Sequence, residues 1–304
     1  QNYATATDSH NIGIGDLSLF YNVTGVNNTF VGSAAGLGAS GNSHSNNTGI
    51  GKSALGAITT GANNVALGSL AGDALTSGDL NTYVGGSAGS ASTTTSNNTA
   101  IGAFAFDAGT GDRNTALGSG ALGGSSNSAD ENTGVGRDAG NAISTGSLNT
   151  LIGAFSADAL TTGTRNVALG YATLSDDTQG QRSTAIGYGA LPVQNFTTAT
   201  ESNNTAVGYL AGGSVTTGVQ NTLIGSLVGD ALTDADFNTA MGYLALSNDT
   251  LGSKSTALGY AALKDQNFTT ATDAFNVAVG HEAGLGITTG NGNTLVGGLA
   301  GDAL

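Results

Sequence analysis

The chain has no cysteine, no tryptophan, a single proline (Pro192) and only 9% charged residues among 304. Without cysteine there is neither a disulfide framework nor a thiolate metal site, and the redox compartment stays open. Basic residues are scarce as well, 7 against 21 acidic, for a formal charge of −14. That balance opposes binding to nucleic acid or an anionic membrane surface, and no basic stripe offsets it. No apolar run is long enough to span a bilayer, so no membrane insertion is expected of this segment. No proline-rich linker or composition break divides the chain, so residues 1–304 read as one continuous repeat domain, a segment of a longer fibre.

What is abundant is glycine, 51 residues, and it recurs on a fixed step. The phrase Asn-Thr-small-aliphatic-Gly ends at Gly15, Gly32, Gly51, Gly68, Gly85, Gly102, Gly118, Gly136, Gly153, Gly170, Gly187, Gly208, Gly225, Gly242, Gly259, Gly280 and Gly297. The usual step is about 17 residues, and a short fixed period means one structural unit stacked on copies of itself. Numbering each unit from its phrase glycine as zero, column −1 is always aliphatic (Ile152, Ile224) and column −3 always β-branched, mostly Thr. That spacing of two predicts short strands with both columns on the buried face. There is no 3.6-residue period, so the fold expected is all-β, a β-solenoid of 17 coils. At about 4.8 Å per coil such a rod would span roughly 80 Å.

Column −4 is Asn (Asn28, Asn81, Asn149, Asn221) except for Ser183 and Ser255, and reads as a ladder bracing a corner. The phrase glycines, Gly153 and Gly225 among them, read as corners that need positive φ or close backbone approach. Column +3 is mostly Ala, which would let neighbouring chains approach closely. Column +4 alternates Leu with Gly, and Gly there is usually compensated by a large aliphatic at column +7, such as Leu75 or Leu232. From Asn149 onward the pattern also recurs every four coils, a super-repeat of about 72 residues in which Asp158, Asp230 and Asp302 are equivalents. Each such block holds one longer coil bearing QNFTTAT, at Gln194–Thr200 and Gln266–Thr272, with Gln1–Thr7 as a third copy. These insertions are expected to bulge as loops on one side. Both termini fall at column +7 with no capping unit, which suggests either a slice of a longer shaft or copies joined end to end.

Residues for catalysis or metal binding do not converge. His10, His44 and His281 lie in different coils and read as solvated surface groups. The GxGxxG at Gly36, Gly38 and Gly41 lacks the βαβ context of a dinucleotide site. Asp234, Asp236 and Asn238 resemble the start of a calcium loop but lack its glycine and its final Glu, leaving only weak Ca²⁺ binding open and no cofactor expected. Of eight N-x-S/T sequons half come directly from the Asn-Asn-Thr phrase, so the repeat explains them better than glycosylation does. Tyr171, Tyr188, Tyr209, Tyr243 and Tyr260 fill column +1 in five of six consecutive coils, a candidate interaction stripe or a packing seam against a neighbouring chain.

The string Ile186-Gly187-Tyr188-Gly189-Ala190 resembles the repeat of trimeric autotransporter adhesin heads, and Asn238 to Leu246 is similar to units of phage tail-fibre proteins. The resemblance covers essentially the whole chain. It implies a left-handed β-roll or β-helix, bundled as a homotrimer on a cell or virion surface. The expected function is therefore a non-enzymatic extracellular fibre for adhesion or display, with itself and a cell-surface or glycan receptor as partners. Two alternatives compete with it. An ice-binding solenoid would use Thr59-Thr60, Thr161-Thr162, Thr216-Thr217 and Thr288-Thr289, but these pairs skip coils and the Thr column at −3 is expected to point inward. A left-handed acyltransferase helix needs an aliphatic every six residues, and column +5 (Leu37, Gly56, Asp73, Ser90) does not supply it.

Overall fold

The computed structural model describes residues 8–124 and 127–303. The copy of the inserted motif at Gln1–Thr7 lies outside the described residues. The chain forms two compact units, Gln1–Leu148 and Asn149–Leu304. Both are parallel β-solenoids, and no helix occurs among the described residues. The first unit carries eight three-residue strands, from Ile12–Ile14 to Thr133–Val135, and the second carries nine, from Thr150–Ile152 to Thr294–Val296. Within each unit every strand pairs with the next in strict register, column on column: Thr48↔Val65 and Gly49↔Ala66 in the first, Thr222↔Thr239 and Leu223↔Ala240 in the second.

The strand faces are the reverse of what hydrophobicity suggests. In strand after strand the middle residue, column −2, is the buried one: Phe30, Ala66, Tyr83, Leu151 and Leu223 are fully buried. Columns −3 and −1 point outward, so Ile152 and Ile224 lie half-exposed on the outer face and Ile50, Leu169 and Met241 are exposed. The physical reason is room. A coil this short has one inward position per strand, and its interior is already filled by columns −4, −2, +3, +4 and +7. The Ala residues of column +3, among them Ala54, Ala71 and Ala211, are fully buried inside the coil, so they do not provide the close chain approach expected of them.

The Leu/Gly alternation at column +4 has a backbone cause. The position takes φ near the left-handed region whichever residue fills it: Leu55 (50°), Leu191 (49°), Gly229 (53°). A non-glycine there costs about 1–2 kcal/mol, which burial of a Leu side chain, about 1.5–3 kcal/mol, offsets. Gly is used where the space is already taken. A Cβ on Gly89 would lie 2.6 Å from the Tyr83 ring, and one on Gly229 2.9 Å from Leu223. The compensating aliphatics at +7, including Leu75, Ile143, Val215 and Leu232, are fully buried as expected.

The phrase glycine needs both properties that glycine offers. Gly153 (φ 134°) and Gly225 (φ 143°) adopt a conformation that L side chains avoid. A Cβ on Gly225 would also stand 2.5 Å from the carbonyl oxygen of Gly242 in the next coil.

Candidate interaction surface

Asparagine at column −4 turns inward and is consumed by the fold. Asn28, Asn81, Asn149 and Asn221 are all buried. In the first unit, the Asn81 backbone N–H and Nδ2 donate to Asn64 Oδ1 at 2.9 and 3.0 Å, and its Nδ2 also donates to the Thr95 carbonyl at 2.7 Å. In the second, the Asn221 N–H donates to Asn204 Oδ1 at 2.8 Å and its Nδ2 to the Ala235 carbonyl at 2.7 Å. Each amide thus ties its own coil to its neighbours, and the side chains are not displayed to a ligand.

Where Ser183 and Ser255 interrupt this ladder, the longer coils repair it. Gln194 is buried; its Nε2 donates to Asp177 Oδ2 at 2.6 Å and to Ser183 Oγ at 3.2 Å, while its Oε1 accepts from Asn204 Nδ2 at 2.9 Å. Gln266 does the same with Asp249, Ser255 and Asn276. Phe196 and Phe268 also turn in, so the exposed part of each insertion is Asn195 and Thr197 to Ala199, with their counterparts Asn267 and Thr269 to Ala271. The insertions are internal braces with a short exposed tip rather than the open loops expected. Asp177 also accepts from the Gly180 and Phe196 N–H groups. Burial nonetheless holds its carboxyl above the usual carboxylate range, and it does the same to Asp73 and Asp230.

His44 corrects another expectation. It is buried against Phe30, edge to face at 5.5 Å, and its Nδ1 lies 3.3 Å from Asn28 Oδ1. Burial lowers its pKa to about 4. It is a core side chain, not a solvated one. The calcium-like stretch is likewise spent on the fold: Asp234 Oδ1 accepts from Thr217 Oγ1, Asp236 Oδ1 from the Val219 N–H, and Asn238 sits in the buried ladder. Among the described residues no group of three or more His, Asp or Glu comes together that could hold a metal, and none forms a pocket.

What remains for a partner is the outer surface. Columns −3 to +1 pass from Thr through an outward aliphatic to the corner glycine and then to the tyrosines. Charged residues are absent from columns −4 to 0 throughout the sequence. The tyrosines are about half exposed and stack along the second unit: Tyr171 on Tyr188 at 5.3 Å, Tyr188 on Tyr209 at 5.6 Å, Tyr243 on Tyr260 at 5.8 Å, and Tyr260 on His281 at 4.9 Å. Scans against protein-family models, curated proteins and solved structures find no match. No helix among the described residues is long and apolar enough to cross a membrane.

The outward aliphatic column is the feature that sequence reasoning misplaces. A signal for it is present. Column −2 is the one that varies from Gly to Tyr, and four of its five large members are matched by Gly at column +4, as Phe30 is by Gly36 and Leu223 by Gly229, while Leu151 is matched by the small Ala157. Only residues sharing an interior need that kind of matching.

Proposed function

We propose that the chain is a non-enzymatic structural segment of a fibre on a cell or virion surface, in which copies associate through the outer face of their strands. The observation that carries this reading is the outward T-x-aliphatic array, uncharged and repeated in register along each unit. A partner able to meet every rung must itself repeat at the same spacing of about 4.8 Å, and a second copy of this chain does. Covering half of an aliphatic side chain contributes about 1 kcal/mol, so one rung is far too little against an association cost of roughly 4–15 kcal/mol. Association therefore has to run along many coils, as lateral bundling does. The homotrimer implied by the likeness to adhesin heads is the arrangement proposed, with a head-to-tail polymer as the competing outcome.

Sedimentation analysis combined with negative-stain imaging tests this. Elongated trimers are expected from the wild-type chain, and dissociation from a chain carrying Val207→Asp, Ile224→Asp and Met241→Asp together. A monodisperse monomer at high concentration, or turnover of an acyl-CoA donor, would count against the proposal.

A second reading rests on the outward Thr column. In three of the four Thr pairs the first residue is engaged within the fold: Thr59, Thr161 and Thr216 donate their hydroxyls to the carbonyls of Thr76, Thr178 and Thr233. The column at −3, by contrast, faces outward in six of eight coils of the first unit as Thr and in seven of nine of the second. Regular outward hydroxyls and methyls suit an ordered water layer, so an ice-binding face is the alternative. Thermal hysteresis in a solution of the purified wild-type chain would support it, and its absence would dismiss it.

A further inference from the structure

The aromatic ladder of the second unit has one internal gap. Column +1 runs Tyr171, Tyr188, Tyr209, then Ser226, then Tyr243, Tyr260 and His281. The three residues at the gap sit on consecutive coils held in register, since the Leu227 N–H donates to the Tyr209 carbonyl at 2.9 Å and the Leu244 N–H to the Ser226 carbonyl at 3.3 Å. Every other aromatic step in the ladder is stacked at 4.9 to 5.8 Å, so the gap is the one place where ring faces are left without a neighbour between two tyrosines. Tyr209 and Tyr243 are 51% and 46% exposed, and Ser226 lies half-buried between them as a floor. Ala154 and Gly298 occupy the same place in the neighbouring four-coil blocks, but only Ser226 has a tyrosine on the coil before and on the coil after.

We propose that this notch binds a single neutral pyranose ring of a surface glycan, sandwiched between Tyr209 and Tyr243. The inference rests on the display function proposed above and names the ligand class that the display would recognise. Three features select the occupant. First, Tyr209 and Tyr243 are two coils apart, so their planes are separated by about 10 Å. A flat aromatic ring in contact with both walls at about 3.5–4.0 Å would need only about 7–8 Å, so it would reach one wall at a time. A saturated, puckered ring, thickened by axial hydrogens on both faces, fills more of that width than an aromatic ring does. Second, none of the residues from Thr205 to Leu210, Thr222 to Leu227 or Thr239 to Leu244 is charged, which favours a neutral sugar over a sialylated or sulfated one. Third, the walls and floor end in hydroxyls, the two phenols and Ser226 Oγ, which can donate to and accept from ring hydroxyls. The notch is open on its outer side, so an internal residue of a long glycan can enter as readily as an end.

Saturation-transfer NMR on the full chain tests this with methyl β-D-glucopyranoside and methyl β-D-galactopyranoside as probes, with N-acetylneuraminic acid and indole as comparators. Transfer to the ring protons of at least one neutral glycoside is expected. It should fall at least tenfold in Ser226→Tyr, which fills the gap with the ladder's own residue, and in the Tyr209→Ala, Tyr243→Ala double variant, which removes the walls. Ser69→Tyr, at the same column of the first unit where no aromatic residue flanks it, should leave binding unchanged. Unaltered unfolding midpoints show that each variant is folded. Indole binding without glycoside binding, no binding by either, or glycoside binding that survives Ser226→Tyr would each overturn the proposal. Sedimentation of the same samples separates the two claims. Loss of sugar binding from an intact oligomer rejects the notch alone, whereas a monomeric wild-type chain that still binds sugar rejects the bundling and leaves the notch standing.

Discussion

The two units follow one frame and fill it differently. The second repeats itself: Asp177, Gln194 and Asn204 are connected as Asp249, Gln266 and Asn276 are, four coils later, and its tyrosines stack in the same column. The first has neither the super-repeat nor the aromatic ladder. Its coils vary in length, the shortest running from Gly102 to Gly118 and the longest from Gly32 to Gly51, and it fills its interior with single solutions such as Phe30, His44, Tyr83 and Phe106. Both keep the corner glycine, the asparagine ladder and the in-register strands. Stacking is thus specified by few columns, and the rest of the cross-section is free as long as its volume is conserved.

The shared frame should be the most sensitive part of both units. Gly68→Ala in the first and Gly225→Ala in the second each place a Cβ within 2.4 and 2.5 Å of the next coil's carbonyl at a φ that only glycine adopts readily. Losses of at least about 3 kcal/mol are expected in either unit, read by urea unfolding with hydrogen exchange reporting the units separately. A mild effect in one unit alone would show that the frame is not common to both.

Next in size is the contrast between the two faces of one strand. Leu223→Ala removes a fully buried side chain and should cost about 2–5 kcal/mol. Its neighbour Ile224→Ala, on the outer face, should cost less than about 1 kcal/mol in the dissociated chain. Equal costs would contradict the orientation of the strands.

The units should also respond differently to acid. His44, in the first, has a folded pKa of about 4, below its ordinary value of 6.5. The unfolded chain therefore takes up a proton first, and stability falls as pH drops from 6.5 to about 4, by about 3 kcal/mol at most. His44→Gln should flatten that slope. Asp177, in the second unit, has a raised folded pKa, so its ionised form penalises the fold at neutral pH. That penalty is relieved as pH falls through the raised value, and Asp177→Asn should remove the gain. Hydrogen exchange at neutral and mildly acidic pH resolves the opposing contributions. A His44→Gln chain with an unchanged slope would show that the first unit's acid response arises elsewhere.

The smallest effect belongs to the exposed ion pairs. Lys254 and Asp273 meet at 2.5 Å on the surface of the second unit, and Lys254→Ala should change stability by less than about 1 kcal/mol.

The period, the strands and the columns are legible because repetition multiplies each signal from coil to coil. The bracing role of the asparagine ladder and the glycine corners follow from residue chemistry alone. The direction of the strands does not, because Ile224 and Leu223 are both aliphatic in their coil and a three-residue strand offers too little alternation to choose between them. The role of Gln194 is hidden for a different reason: its partners Asp177, Ser183 and Asn204 lie far from it along the chain and meet only when the coils stack. The notch at Ser226 is visible as the missing tyrosine among six coils, but its walls acquire meaning only from the stacking distances on either side.

The most direct test of the outward T-x-aliphatic face uses the absence of native cysteine. Leu223→Cys and Ile224→Cys are made singly and exposed to a thiol reagent or to mild oxidation in the folded state. The account predicts that Cys at 224 labels rapidly in the dissociated chain or cross-links to a second copy in the assembled one, while Cys at 223 reacts only on unfolding. Protection at 224 with rapid labelling at 223 would contradict it.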